Sequence, residues 1–224
     1  IQQFMKVNFS QLFVLSFNSI KVSFIASVFI IFIALFFLYV EKISKLKINT
    51  IITNITSLGY AIPGAVIGLA VILLFTQFQL FNNHLLVGSF FVLIYAYIFR
   101  FLAVGKSPIK SSLDKQPKAF EDTSKVLGIT SFKALRIIHF PLNKMALVIA
   151  FIVTFIDLLK ELPITLILRP FNFDTLATQT YEFAVEEMLK ASSIYSLMII
   201  VIGCVLLILL KYITNKQIHA FRSF

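Results

Sequence analysis

The chain has 224 residues, of which 59% are hydrophobic and only 13% charged, and its formal net charge is +10. Soluble domains carry about 25% charged residues, so a soluble globule of this composition would expose much of its apolar surface. Disordered chains are poor in apolar residues, which excludes disorder. A basic chain can bind nucleic acid, but here the basic residues lie thinly between long apolar runs. This pattern favours a membrane protein with basic loops on one side.

Charge-free stretches long enough to cross a bilayer recur along the chain. A membrane-spanning helix needs about 20 apolar residues. Residues 48–99 contain no Asp, Glu, Lys or Arg, so this run must hold two helices, and the polar residues of 77–84 mark the turn between them. Backbone in lipid must satisfy its own hydrogen bonds, which favours helices. The sequence therefore predicts an all-α polytopic membrane protein with about five transmembrane helices, at 22–40, 57–76, 85–103, 142–160 and 191–210.

The segments outside these helices suggest how the chain is organised. Residues 9–17 are apolar but too short to span, and no small-residue cleavage site follows them. The chain begins with Ile rather than Met, so we expect a fragment, the C-terminal part of a longer protein. The expected divisions are an N-terminal segment at 1–17, a transmembrane region at 18–212 with a loop at 104–141 and an opposite-side segment at 161–190, and a tail at 213–224.

The positions of Lys and Arg predict the orientation, because cytoplasmic loops are enriched in them. With five helices, 15 of the 20 basic residues lie on the side of the 104–141 loop. This side is therefore expected to be the cytoplasm, with the C-terminus inside and the N-terminus outside. The few acidic residues concentrate on the other side, in 161–190. The expected location is the bacterial plasma (inner) membrane, crossed several times.

The 104–141 loop has the pattern of two short helices around a glycine. Lys106 to Pro108 is expected to open it as a loop, and Pro117 suits the first turn of a helix. Gly128 can take a positive φ at a helix end, Thr130 or Ser131 can cap a second helix, and Pro141 begins the next span. This unit is either a projection held by a soluble partner or an amphipathic hairpin on the lipid headgroups.

The spacing within this loop resembles a known family. Residues 122–128 read Asp-Thr-Ser-Lys-Val-Leu-Gly, and Pro141 follows Gly128 by thirteen positions. This is similar to the EAA loop of binding-protein-dependent ABC-importer permeases, although Asp122 stands where Glu is usual and Thr123-Ser124 replace two alanines. Residues 60–64 and 100–104 also resemble this family, and the likeness covers about 18–212.

A second stretch resembles one group within that family. Residues 160–177 read Lys-Glu-Leu-Pro-Ile-Thr-Leu-Ile-Leu-Arg-Pro-Phe-Asn-Phe-Asp-Thr-Leu-Ala and are similar to iron(III)-type permeases, as are Glu182 and 186–188. The resemblance implies a type I permease core that carries iron(III) by alternating access. Thiamine, sulfate and polyamine permeases share the loop and stay open as alternatives. A secondary transporter is a further alternative, against which the charge-free run 48–99 argues.

The resemblance also implies partners and roles for residues. The expected partners are a cytoplasmic ATPase subunit, an external solute-binding protein, a second permease half (another copy or part of one longer chain) and membrane lipid, with no nucleic acid. Gly128 would act as a joint and Asp122 as a polar anchor to the ATPase. The residues expected to couple to the ATPase are Glu121, Asp122, Thr123, Ser124, Gly128 and Pro141.

Several membrane residues are candidates for the translocation path or gate. Pro63 can bend the second helix because it lacks a backbone donor, and Gly64 with Gly68 permits close helix packing. Asp157 and Lys160 share a helix face; they either line the path near an outer gate or form an ion pair that ends the helix at the interface. The expected path residues are Pro63, Gly64, Asp157, Lys160 and Glu161, with Glu161 at the rim.

No enzymatic chemistry is expected from this chain. Gly105-Lys106-Ser107 looks like the end of a phosphate-binding loop, but that motif needs Gly five residues earlier, where Arg100 stands. The three histidines are scattered and Cys204 is alone, so no metal site or cofactor is expected. ATP hydrolysis would come from a separate subunit.

Overall fold

A computed structural model describes residues 9–44, 47–77, 88–117 and 119–222. The described residues contain helices and turns and no strand, which confirms the all-α prediction. A 3-10 turn, Leu58–Ala61, precedes α3, and a π-helical turn, Leu135–His139, precedes α7. The α-helices are α1 Phe9–Ile43, α2 Lys47–Ile55, α3 Gly64–Gln77, α4 Phe90–Asp114, α5 Ala119–Val126, α6 Ser131–Ala134, α7 Phe140–Leu142, α8 Lys144–Leu159, α9 Pro163–Leu168, α10 Leu176–Val185 and α11 Leu189–Arg222.

Three helices are long and apolar enough to cross a membrane by themselves, namely α1, α4 and α11. Two bent pairs pass the same test together. Ile48–Ala61 meets Gly64–Gln77 at 114°, and Phe132–Leu142 meets Lys144–Leu159 at 74°. The described residues therefore provide three spans, or five if each bent pair crosses once, which agrees with the expected number.

The centre of the bundle is α4, which packs between α1 and α8. Its buried face carries Val92, Leu93 and Tyr97. The buried residues of α1 include many small ones at helical spacing, and small side chains let membrane helices approach closely. The buried small residues of α1 are Ser19, Ser23, Ala26, Ser27 and Ala34.

The two ends of the bundle carry different elements. The first, which we call the α10 end, holds the start of α1, since the Asn18 amide donates to the Asp174 backbone oxygen at 3.0 Å and Ser19 Oγ accepts from the Leu176 N–H at 2.8 Å. The second, which we call the α5–α6 end, holds the last turns of α1 and α4, since Lys42 Nζ donates to the Leu113 carbonyl at 3.1 Å.

Several predicted helix ends were wrong. The first helix starts at Phe9 rather than 22, because its early turns pack on α10. The third continues to Asp114 through Pro108, so 104–114 is helix and not loop. The last runs to Arg222, past the expected start of the tail. Residues 57–63 form a turn and a break instead of helix, and most of the predicted turn at 77–84 lies outside the described residues.

Candidate functional site

Two helix breaks lie side by side near the middle of the bundle. The first is at Ile62 and Pro63, between the 3-10 turn and α3. Pro63 lacks an N–H, and its carbonyl accepts from the Val66 and Ile67 N–H groups at 3.0 and 3.2 Å, which starts α3 in its new direction. The second break separates α8 from α9, which begins at Pro163. Helices that break within a membrane expose backbone polar groups that other groups must satisfy.

An arginine and a glutamate connect these two breaks. Arg100, ten residues into α4, donates from Nη1 to the Ile62 carbonyl at 3.0 Å. Its Nε lies 3.7 Å from Glu161 Oε2, and the Glu161 side chain is only 7% exposed. The other oxygen, Glu161 Oε1, accepts the Ile164 N–H at 3.1 Å at the start of α9. Each end of the ion pair thus satisfies a backbone group that one break leaves unpaired.

Gly64 makes room for this ion pair. A Cβ on Gly64 would lie 2.7 Å from Arg100 Nη1 and 2.9 Å from Glu161 Oε1. Both distances are too short for a carbon beside a polar atom, so any side chain at 64 would push the pair apart. Glycine therefore lets α3 approach the pair without displacing the end of either side chain.

A second polar contact between α4 and α9 lies next to the Arg100–Glu161 ion pair. Tyr97 lies one turn before Arg100 on α4, and its hydroxyl is 2.5 Å from Thr165 Oγ1. Thr165 Oγ1 in turn donates to the Glu161 carbonyl at 2.7 Å. Both side chains are fully buried, so α4 holds the broken α8–α9 segment at two successive positions.

The predicted path residues fall into two groups. Pro63, Gly64 and Glu161 come together around Arg100, and Glu161 is buried rather than at the rim as expected, because Arg100 and the start of α9 hold it inside. Asp157 and Lys160 form a separate ion pair at 2.9 Å at the end of α8, with Lys160 exposed. Sequence reasoning missed the role of Arg100, although it is the first charge after the charge-free run 48–99.

The second candidate site is a helical elbow at the α5–α6 end, defined here as residues 119–134. Gly128, with φ +64°, turns the chain between α5 and α6, and the Ile129 N–H returns to the Ser124 carbonyl at 2.9 Å. Ala134 donates its N–H to the Thr130 carbonyl at 2.9 Å, as expected for a helix start near Thr130. The helix–glycine–helix pattern is therefore present.

The elbow exposes large apolar side chains. Val126 is 87% exposed, Leu127 67% and Phe132 77%. Thr123 is also exposed, Ser124 is buried, and Pro141 is exposed in α7; for Glu121 and Asp122 the structure describes only the backbone, which is helical. Phe132 is the first residue of a bent candidate span, whereas Val126 and Leu127 lie outside the spans. Exposed apolar side chains outside the spans indicate a contact surface.

A buried histidine joins the elbow to the bundle. His139 lies in the π-helical turn after α6, with Nδ1 3.1 Å from Gln116 Oε1. Lys42 Nζ, at the end of α1, donates to the same Gln116 Oε1 at 3.3 Å. Because an amide oxygen only accepts hydrogen bonds, His139 Nδ1 is the donor in its bond to Gln116. Asn143 donates to the His139 carbonyl at 2.6 Å. π-Helical turns are frequent at functional sites, and sequence reasoning counted His139 only among the scattered histidines.

The described side chains include no group of three or more His, Cys, Asp or Glu placed to hold a metal ion. At the breaks, Arg100 Nη1 and Glu161 Oε1 are bonded to backbone, while the buried Arg100 Nε has only the 3.7 Å ionic contact with Glu161 and no hydrogen-bond partner among the described residues. What the arrangement offers is mechanical: an ion pair across two breaks inside the bundle, and an exposed elbow tied to the bundle at one end.

Solved structures share the fold of this chain. One chain of an amino acid ABC transporter crystallised with histidines matches with a TM-score of 0.69 and 19% identity over 95% of this chain and 97% of that one. A chain of the inward-facing MetNI methionine ABC transporter matches with a TM-score of 0.71 and 14% identity, over 94% of this chain and 99% of that one. A chain of a bacterial ABC transporter involved in alginate import matches with a TM-score of 0.66 and 11% identity, over 89% of this chain and 79% of that one.

The chain belongs to the family of binding-protein-dependent transport system inner membrane components, whose sequence pattern matches residues 38–219. This confirms the family that the Asp122–Gly128 segment and Pro141 indicated. A curated relative, the Fe(3+)-transport system permease protein FbpB 2 of Haemophilus influenzae, is 28% identical over 160 residues, which cover 71% of this chain and 31% of that protein. The chain thus spans about a third of that relative's length, and the similarity to iron(III)-type permeases is confirmed.

Proposed function

We propose that this chain is a permease subunit of an ATP-driven importer and that it carries iron(III) delivered by an external binding protein. The observation that carries the proposal is the elbow: Val126 and Leu127 stand exposed outside the candidate spans, next to the glycine joint that the family pattern predicts. An ATPase subunit is the partner that this surface fits. The elbow faces the cytoplasm in the orientation that the basic residues favour.

Coupling would run from the elbow into the bundle through the His139 turn. Closure of an ATPase dimer would displace α5 and α6, and the hydrogen bonds of His139 to Gln116 and Asn143 would pass that displacement to α4 and α8. A ligand or partner shifts such an equilibrium only by its differential affinity for the two states. In the state described, Arg100 and Glu161 hold the two breaks together, and their separation would open the path.

The external partner would meet the α10 end. Among the acidic residues there, Asp174 and Glu182 are both paired with Arg169, the latter at 2.7 Å. Glu186 and Glu187 are exposed, and their carboxylates make no hydrogen bond or ion pair with the described residues. We place the contact with the binding protein at these two carboxylates, with a second permease half completing the path.

The ATPase contact is tested by charge substitution on the elbow. Leu127→Asp places a carboxylate in the apolar surface, so the ATPase subunit should no longer co-purify with the permease from detergent. Thr130→Asp is the matched control, because it adds the same charge to the elbow while Asp remains a good helix cap. Undiminished co-purification of the ATPase with Leu127→Asp would refute this assignment of the elbow.

The substrate is tested by radiolabelled iron(III) uptake in cells with and without the gene that encodes this chain. Uptake should fall on deletion, and it should also fall when the ATPase subunit carries an inactivating substitution. Unchanged iron uptake combined with loss of thiamine, sulfate or polyamine uptake would reject iron and keep the permease. Uptake that survives ATPase inactivation would instead indicate a secondary transporter.

A further inference from the structure

A basic groove lies at the α5–α6 end, between α4 on one side and the end of α2 with its following turn on the other. Its volume is about 570 Å³, within the range of small-ligand sites. One face of α4 supplies most of its wall, because positions three and four apart in a helix share a face. The side chains with hydrogen-bond donors that line it are Asn54, Ser57, Lys106, Ser107, Lys110, Ser111 and Lys115.

The charges of the groove are unbalanced. Three ammonium groups face it against the single carboxylate of Asp114. Lys106 and Lys110 lie one helical turn apart, a spacing at which like charges repel. The ammonium groups of Lys110 and Lys115 make no hydrogen bond or ion pair with the described residues. The groove therefore concentrates positive charge that the described part of the chain does not neutralise.

Lys106 is the fixed part of this site. It is 5% exposed, and its amine donates to the Thr53 carbonyl and to Ser57 Oγ. No described carboxylate lies within 4 Å of it; Glu41 acts on it only from a greater distance. An ammonium has three donors, and the two bonds to the α2 side hold this one at the wall of the groove. A buried charge is costly unless it is paired.

We propose that this groove binds a phosphate group, either that of an anionic phospholipid or that of a free phosphate compound. Ammonium and hydroxyl groups both donate, and a phosphate presents several strong acceptor oxygens with negative charge. Basic pockets between membrane helices bind anionic headgroups in this way. The bound phosphate supplies negative charge to balance the ammonium groups of Lys106 and Lys110. It also connects α4 to the end of α2, near Gln116, which bonds to His139.

The test uses the purified full-length protein with its partner subunits, stripped of lipid in detergent. Binding of fluorescent phosphatidylglycerol is compared with binding of phosphatidylcholine, and phosphatidylglycerol should bind more tightly. Lys110→Gln removes one charge from the groove and should weaken phosphatidylglycerol binding about fivefold, since one lysine contributes about 1 kcal/mol at an anionic surface. Lys211→Gln, on the exposed side of α11, is the matched control and should leave the affinity unchanged.

Inorganic phosphate separates the two sources. If millimolar phosphate displaces phosphatidylglycerol and raises the thermal unfolding midpoint of the wild type but not of Lys110→Gln, the ligand is a free phosphate compound. If it does neither while phosphatidylglycerol still binds selectively, the ligand is a lipid headgroup. Equal binding of the two lipids without a midpoint shift by phosphate overturns the proposal, and so does equal affinity of Lys110→Gln and Lys211→Gln. The comparison of phosphatidylglycerol with phosphatidylcholine uses the wild type alone, so it tests the proposal even if a variant folds poorly.

Discussion

Replacing Gly64 by alanine tests whether the ion pair between the helix breaks fixes the fold around it. The added methyl would lie 2.7 Å from Arg100 Nη1 and 2.9 Å from Glu161 Oε1. Neither group can withdraw freely, because Nη1 is bonded to the Ile62 carbonyl and Oε1 to the Ile164 N–H. The substitution therefore displaces at least one bond that involves a charged group.

The expected cost follows from the bond that is displaced. A hydrogen bond to a charged group contributes about 1.5–3 kcal/mol, and insertion of a methyl into a packed interior costs about 1–3 kcal/mol. Because the same displacement causes both, we expect a loss of about 2–3 kcal/mol in the free energy of unfolding. Gly203→Ala is the control, since its Cβ would meet only Ile156 at 4.0 Å, and alanine gains about 0.5–1 kcal/mol over glycine within a helix.

The assay is thermal or denaturant unfolding of the purified protein in detergent, with substrate uptake measured in parallel at matched expression. Gly64→Ala should unfold earlier than the wild type, and Gly203→Ala should unfold at the same point or later. If the two variants were equally stable, Arg100 and Glu161 would not be held as described. The interpretation of Gly64 as a site of close approach would then be abandoned.

Four further substitutions, at three positions, test other features of the structure. Gly128→Val should reduce uptake more than Gly128→Asn, because the φ of +64° costs a β-branched residue about 1–2 kcal/mol while Asn tolerates it; equal uptake by both variants would refute a role of the backbone turn. Tyr97→Phe removes the hydroxyl bonded to Thr165 and should lower the unfolding free energy by about 1 kcal/mol, and a change near zero would contradict this contact. Asp157→Asn should change that free energy by less than about 1 kcal/mol, because its partner Lys160 is exposed; a larger loss would show that this pair is coupled to the buried one.

The sequence was sufficient for the class of fold and the family, because both depend on local patterns. Charge-free runs indicate spans wherever they occur, and the spacing from Asp122 through Gly128 to Pro141 lies within one continuous segment. Positive φ at Gly128 follows from the same local reasoning. These features needed no knowledge of which helix packs against which.

Contacts between distant segments could not be read in the same way. Arg100 and Glu161 are far apart in the chain, and only the packing of α4 against the α8–α9 break brings them together. The extension of α4 through Lys106 and Pro108 depends on a tertiary contact as well, because the Lys106 amine is held by Thr53 and Ser57. A lysine and a proline together indicate a loop until such partners are known.

The length of α1 bears on how the protein sits in membranes of different thickness. Its 35 residues extend for about 52 Å, whereas the hydrocarbon core of a bilayer measures about 30 Å. The helix is tied to α10 at Ser19, about a third of the way along it, and near its end to the last turn of α4. The spacing between the two faces of the protein is thus set by one continuous rod. A thinner or thicker bilayer has to adapt to this rod by tilt or by local deformation of the lipid.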